Sequence, residues 1–274
     1  MLLNNFRSTV IKFKPKICQS ILLTIVIVLL DGISSSAQSP KQNLNIVFIG
    51  NSITQGAQLS LPDVESPPAQ ACVHLRAQHN IGTVTYSNQG YSGFTTVDFL
   101  PATAKAFPKV EAAAHAFTDK KALLIFSIKL GTNDSAIEGP NGSPVSPNAY
   151  QHNLKTIADS LLKEFPGCII IFNHPIWYSP NTYNGAKYLA EGLKRLQRYI
   201  PKIDRLVAAY ASAYPKQVFV GDTKGFAYFK KNYLTALRPE EGHQGTFYLH
   251  PNKSGAGELG YFWGEAIIRV LNER

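Results

Sequence analysis

Four chemically capable residues stand at matching places in this sequence. An apolar run at 43–49 leads into Gly50-Asn51-Ser52-Ile53-Thr54, and a shorter run at 83–87 leads into Asn88-Gln89-Gly90-Tyr91-Ser92-Gly93. A third run, at 122–130, leads into Gly131-Thr132-Asn133-Asp134, and His250-Pro251-Asn252 stands just ahead of the last amphipathic stretch. Together these supply a hydroxyl, a glycine amide, a carboxamide and an imidazole. Acyl transfer needs that set: a hydroxyl nucleophile, a base to take its proton, and hydrogen-bond donors for the oxyanion that forms.

For these groups to meet, the runs that carry them must lie side by side. Five short apolar runs, at 43–49, 83–87, 122–130, 169–172 and 217–221, read as buried strands. Between them lie helical stretches at 69–78, at 102–117 in two pieces broken at Pro108, from Pro147 to about residue 165, at 186–199, at 203–213 and at 254–271. Ser146 before Pro147 suits an N-cap followed by proline at the first helical position. Strands alternating with amphipathic helices predict an α/β chain, a three-layer α/β/α sandwich around a central five-stranded parallel sheet. Such sheets bind ligands beyond the carboxyl ends of their strands, which is where Ser52, Gly90 and Asn133 fall.

The amino terminus has a different character. Arg7, Lys12, Lys14 and Lys16 precede an apolar run at 21–30, and Ser35-Ser36-Ala37 offers a small-residue cleavage site. This is the layout of a secretory signal peptide, and the run is about half the roughly 20 residues a spanning helix needs. The expected organisation is a signal peptide at 1–37, a short linker at 38–43 and one domain at 44–274, secreted or periplasmic, with no stable membrane anchor after cleavage. The formal net charge is +9, but four of the cations lie in the leader. The remainder are scattered, which argues against a nucleic-acid partner. Cys72 and Cys168 read as buried free thiols, although an exported chain could bridge them. No Cys/His spacing suits a structural metal site.

Ile46-Val-Phe-Ile-Gly-Asn-Ser-Ile-Thr-Gln-Gly56 resembles the first block of the SGNH (GDSL-like) serine hydrolases. Gly90 matches the second block, Gly131-Thr-Asn-Asp134 the third and His250-Pro-Asn252 the last. The resemblance spans residues 44 to about 260 and implies the flavodoxin-like SGNH hydrolase fold. It also implies roles: Ser52 as nucleophile, His250 as its base, and an oxyanion hole built from the Ser52 N–H, the Gly90 N–H and the Asn133 side chain. No cofactor is implied. Among carbohydrate O-acetylesterase relatives, the substrate would be a small-molecule or glycan ester carrying a short acyl group.

The sequence departs from the family pattern twice. Asn51 replaces the familiar Asp but keeps an acceptor oxygen able to hold the nucleophile turn. Phe247 stands three residues before His250, where the family usually has the Asp that orients the imidazole. A histidine without that acid loses tautomer control and stabilisation of the imidazolium. The favoured replacement is a backbone carbonyl near Phe247, giving a supported Ser–His dyad. Glu241 or Glu240 comes next, and Asp222 reads more simply as a strand-end cap.

Other features remain open at this level. His174 and His243 could join His250 in a metal site, against the bland reading of packing residues. Trp177, Tyr178 and Tyr183 could form an aromatic platform for a sugar ring, or could pack their loop onto the domain. The rivals to a short-chain carbohydrate esterase are a lipolytic acylhydrolase or thioesterase acting on longer chains, and a weakly catalytic carbohydrate-binding relative.

Overall fold

The computed structural model describes residues 41–274 and, before them, Thr9 alone. The signal peptide expected at 1–37 lies, apart from Thr9, outside the described residues. The first strand, β1 (Gln42–Gly50), begins inside the stretch read as linker. It is followed by a single helical turn, α1 (Ser52–Gln55), then by α2 (Pro62–Glu65), α3 (Pro67–Arg76) and β2 (Ile81–Gly90). Next come α4 (Phe107–His115), β3 (Leu123–Lys129), α5 (Pro147–Glu164), β4 (Ile169–Phe172), α6 (Leu189–Tyr210) and β5 (Val218–Val220). The chain then runs through α7 (Gly225–Ala236), β6 (Leu237–Gly242), β7 (Gly245–Pro251) and α8 (Lys253–Glu273).

The five expected strands form one parallel sheet in the order β2-β1-β3-β4-β5. Alternation along each strand sends side chains to two separate cores. Val47, Ile49, Phe126, Ile128 and Ile170 pack with Val110 of α4, Leu154 and Ile157 of α5, and Leu196 and Tyr199 of α6. Leu44, Ile46, Phe48, Ile125 and Ile171 pack on the other face with Cys72 and Leu75 of α3, Phe229 of α7, and Leu259 and Trp263 of α8. The three-layer α/β/α sandwich is therefore present. Cys72 and Cys168 are free, buried and in different cores, and burial pushes both thiols up to about 12.

Local expectations differ in several places, among them α7, a helix where none was expected. Pro108 does not break a helix; it lies in the first turn of α4, where a missing N–H costs nothing. The two helices expected at 186–199 and 203–213 are one, because Pro201 sits inside α6 on the solvent side. A further difference is a separate antiparallel hairpin, β6–β7, which lies outside the five expected strands and carries His250. Among the described residues, no helix is long and apolar enough to cross a membrane.

Candidate active site

Ser52 is the first residue of α1, directly beyond β1. The Asn51 side chain accepts the Ile53 N–H at 3.1 Å and caps the turn, as its retained oxygen allows. Gly56, at φ +82°, ends the turn with its N–H on the Ser52 carbonyl. A hydroxyl-bearing residue held this way has little freedom to rotate out of register.

His250 Nε2 lies 2.9 Å from Ser52 Oγ. Its other ring nitrogen, Nδ1, lies 2.9 Å from Oε1 and 3.1 Å from Oε2 of Glu240. The carboxylate thus accepts the Nδ1 proton, which leaves the Nε2 lone pair to accept the Ser52 hydroxyl. Oε1 also accepts the His250 backbone N–H at 3.2 Å. Imidazole and carboxylate are both mostly shielded, with side-chain exposures of 9% and 13%, so their interaction is less screened than a surface pair.

This arrangement corrects the expected dyad with carbonyl support: the third position holds a carboxylate, that of Glu240. Phe247 is buried in the core and pairs across the hairpin with Glu240. The acid missing from its usual strand position is therefore supplied by the facing strand. The register also explains how His250 reaches it. Arg238 on β6 is opposed by two residues of β7, Leu249 and His250, because Pro239 pairs with Tyr248 and Leu237 with Pro251. Such a bulge re-aims a side chain, and here both bulged residues line the site cleft. The remaining candidates are engaged elsewhere. Glu241 accepts the Thr246 hydroxyl at 2.8 Å, and Asp222 caps α7 through the N–H groups of Lys224 and Gly225.

Asn133 lies in the turn after β3. Its Nδ2 donates one hydrogen to the Phe94 carbonyl at 2.9 Å, and its Oδ1 accepts the Tyr188 hydroxyl at 2.8 Å. The neighbouring Asp134 is fully buried, accepts the N–H and hydroxyl of Thr96, and is pushed up to about 6 by burial. These bonds tie the turn at 131–135 to the loop at 91–96.

Gly90 departs from its expected role. β2 runs on to Gly90, which pairs with Gly50, and its N–H donates to Asn88 Oδ1 at 3.0 Å. A Cβ there would lie 2.2 Å from the Gln55 backbone nitrogen. Gly90 is thus needed for the close approach of α1 to β2, and its N–H is already committed. Of Gly90 and Gly93, it is Gly93 that shares a cleft with Ser52, Asn133 and His250. Its φ of +78° is the left-handed conformation glycine accommodates. Neither its N–H nor that of Ser52 has a hydrogen-bond acceptor among the described residues. Gln55 Oε1 holds the adjoining Ser92 through its N–H (3.0 Å) and hydroxyl (2.6 Å), linking the glycine loop to the nucleophile turn. The sequence signal was present, since Gly93 closes the same Gly-Tyr-Ser-Gly run.

The cleft has a volume of about 520 Å³ and is walled largely by polar side chains, including Gln58, Ser92, Asp98, Lys105, Asn141 and Asn184. Asp98 accepts hydrogen bonds from Lys105 and Asn141, each at 2.9 Å, and so pins two walls together. Trp177, Tyr178 and Tyr183 are not part of it. Trp177 packs on Tyr233, Tyr178 bonds Ser135, and Tyr183 packs at a tilt on His243, so the aromatic platform gives way to the packing role. His174 Nε2 is bonded to Asp204 at 2.8 Å. No group of three or more His, Cys, Asp or Glu side chains able to hold a metal ion occurs among the described residues.

The sequence matches the GDSL-like lipase/acylhydrolase family over residues 48–257, and the chain belongs to that family of ester-hydrolysing enzymes. No curated protein matches it significantly. Among solved structures it resembles the lipase/acylhydrolase from Enterococcus faecalis, at 17% identity and a TM-score of 0.55 over 82% of this chain and 95% of that one. It also resembles Est24, a carbohydrate acetylesterase from Sinorhizobium meliloti, at 14% identity and a TM-score of 0.54 over 83% and 99%. A third likeness is a carbohydrate esterase family 2 enzyme with a carbohydrate-binding domain from Corynascus thermopiles (Myceliophthora fergusii), at 18% identity and a TM-score of 0.55 over 85% and 68%. At these identities the likeness speaks for the fold alone.

Proposed function

We propose that this chain is an exported esterase that removes short O-acyl groups, acetyl foremost, from a carbohydrate through an acyl-serine intermediate. The observation that carries the proposal is the hydrogen-bonded chain Ser52–His250–Glu240 opening into a polar cleft. The Ser52 hydroxyl proton passes to His250 Nε2 as Oγ bonds the ester carbonyl carbon. The oxyanion is received by the N–H groups of Ser52 and Gly93 and by the Asn133 amide. Collapse breaks the bond to the alcohol, which leaves with the proton from His250. Water, deprotonated by the same nitrogen, then attacks the acyl-serine and releases the acid. Glu240 fixes the tautomer and stabilises the imidazolium without taking its proton.

Carboxamide and charged side chains on the cleft wall support a sugar ester over a fatty acyl ester. The Asp98–Lys105–Asn141 cluster and Asn184 offer donors and acceptors suited to sugar hydroxyls. Export rests on the basic, apolar and small-residue succession of residues 1–37. Aryl esters of increasing acyl length, together with acetate release from acetylated xylan and mannan, test the reading. Activity should fall steadily beyond about four carbons and vanish in Ser52→Ala, with labelling of Ser52 by an organophosphate. A maximum at eight or more carbons would replace it with a lipolytic activity.

A further inference from the structure

We infer that Tyr188 is a positioning residue for the reaction: its phenol holds the Asn133 carboxamide in the one orientation that presents an N–H to the oxyanion. The inference rests on the reading of Asn133 as an oxyanion donor. A carboxamide has two similar ends, and only its partners decide which faces the reacting atoms. Tyr188 Oη donates to Asn133 Oδ1 at 2.8 Å, and the Phe94 carbonyl accepts one Nδ2 hydrogen at 2.9 Å. Rotating the amide by half a turn would set Nδ2 against the phenol and Oδ1 against a carbonyl. The latter contact has no hydrogen to share. With both bonds made, the second Nδ2 hydrogen is left uncommitted, and Asn133 and Tyr188 both line the cleft beside Ser52. Donation into the amide oxygen also polarises the amide and strengthens the remaining N–H as a donor.

Tyr188 is built to stay a donor. It is buried at 4% exposure. That burial, with the nearby charges of Asp134 and Glu240, raises its ionisation above the ordinary phenol value and keeps the proton on the oxygen. Its backbone N–H and that of Leu189 both donate to the Thr182 carbonyl, fixing the end of the loop that delivers it. The ring packs edge-on against Tyr178 at 5.4 Å, and the Tyr178 hydroxyl is 2.9 Å from Ser135 Oγ. Two phenols from one loop therefore brace the same turn, one at Asn133 and the other two residues on.

The test is Tyr188→Phe, alone and combined with Asn133→Ala, with kcat and KM measured on a short aryl ester. Losing one neutral hydrogen bond should lower kcat about 5- to 10-fold. KM should change by less than about twofold, because the bond serves charge formed in the transition state. In the Asn133→Ala background the second substitution should add nothing. An equal loss there, or a shift confined to KM, overturns the positioning role while leaving the oxyanion reading intact. If Asn133→Ala itself retains kcat, the oxyanion reading fails first. A second probe does not depend on the stability of the phenylalanine variant. A trifluorinated tyrosine at 188, whose phenol ionises at lower pH, should lose kcat as the pH rises through that ionisation, because a phenolate cannot donate to Oδ1. A kcat profile with no new descending limb would overturn the inference.

Discussion

Ser52 follows a strand buried on both faces, in a turn closed by the Asn51 side chain, whereas His250 and Glu240 ride on a two-stranded hairpin outside the main sheet. The Ser52 hydroxyl is held by the core itself. The His250 imidazole and the Glu240 carboxylate, its proposed base and acid, are held by a hairpin register and by clamps from the loop at 179–188. Ser179 and Tyr248 exchange two hydrogen bonds, His243 donates to the Tyr183 carbonyl, and Asn181 reaches the carbonyls of Gln244 and Thr246. Arg238 adds a bond to the Gln58 carbonyl. Pairing acid and base across a hairpin frees the position three residues before the histidine, and Phe247 uses that freedom to extend the core.

Breaking the sheet side at Asn133, its proposed oxyanion donor, should have a large effect. Asn133→Ala should lower kcat on the order of 10²- to 10³-fold with little change in KM, measured on short aryl esters. Gly90→Ala, by contrast, should act on folding. The added methyl meets the Gln55 backbone, so urea denaturation should show a loss of about 1–3 kcal/mol, while the folded fraction keeps most of its kcat.

A buried cation offers a subtler probe of the sheet side. Lys129, the last residue of β3, is fully buried with Thr132 Oγ1 at 3.2 Å, and burial lowers it from its ordinary 10.5 to about 7, against the opposing charge of Asp222. Between those two values the folded chain binds fewer protons than the unfolded chain, so stability should rise as the pH increases from 7 towards 10. Lys129→Met should flatten that slope in denaturation measured across the range. The smallest effects should separate the two regions. Asn51→Ala should cost about 1 kcal/mol of stability through the lost cap. Asn181→Ala, which loosens the hairpin, should lower kcat a few-fold with little change in Tm.

The same contrast explains what could be read from the chain beforehand. Runs such as Ile46-Val-Phe-Ile49 are buried on both faces and announce themselves as strands, so the sheet and the Ser52 turn were legible. Gly90 received its expected role through the match to the family's second block, and Gly93 stands three residues on in the same Gly-Tyr-Ser-Gly run. In the fold Asn88 is paired in the ladder while its side chain holds the Gly90 N–H and the Thr54 carbonyl. The segment Leu237-Arg-Pro-Glu-Glu-Gly242 is charged, carries a proline and is mostly exposed, and it reads as loop. Nothing local marks Glu240 above Glu241. The choice is made by register across the hairpin, a pairing between residues that individual composition does not encode.

The central claim is that Glu240 completes the catalytic group from the facing strand. Its most direct test is kcat/KM on a short aryl ester for Glu240→Gln beside Glu241→Gln. The account predicts a loss on the order of 10²- to 10⁴-fold for the first and a change within about twofold for the second. Equal, small effects in both variants would contradict it and return the site to a Ser–His dyad.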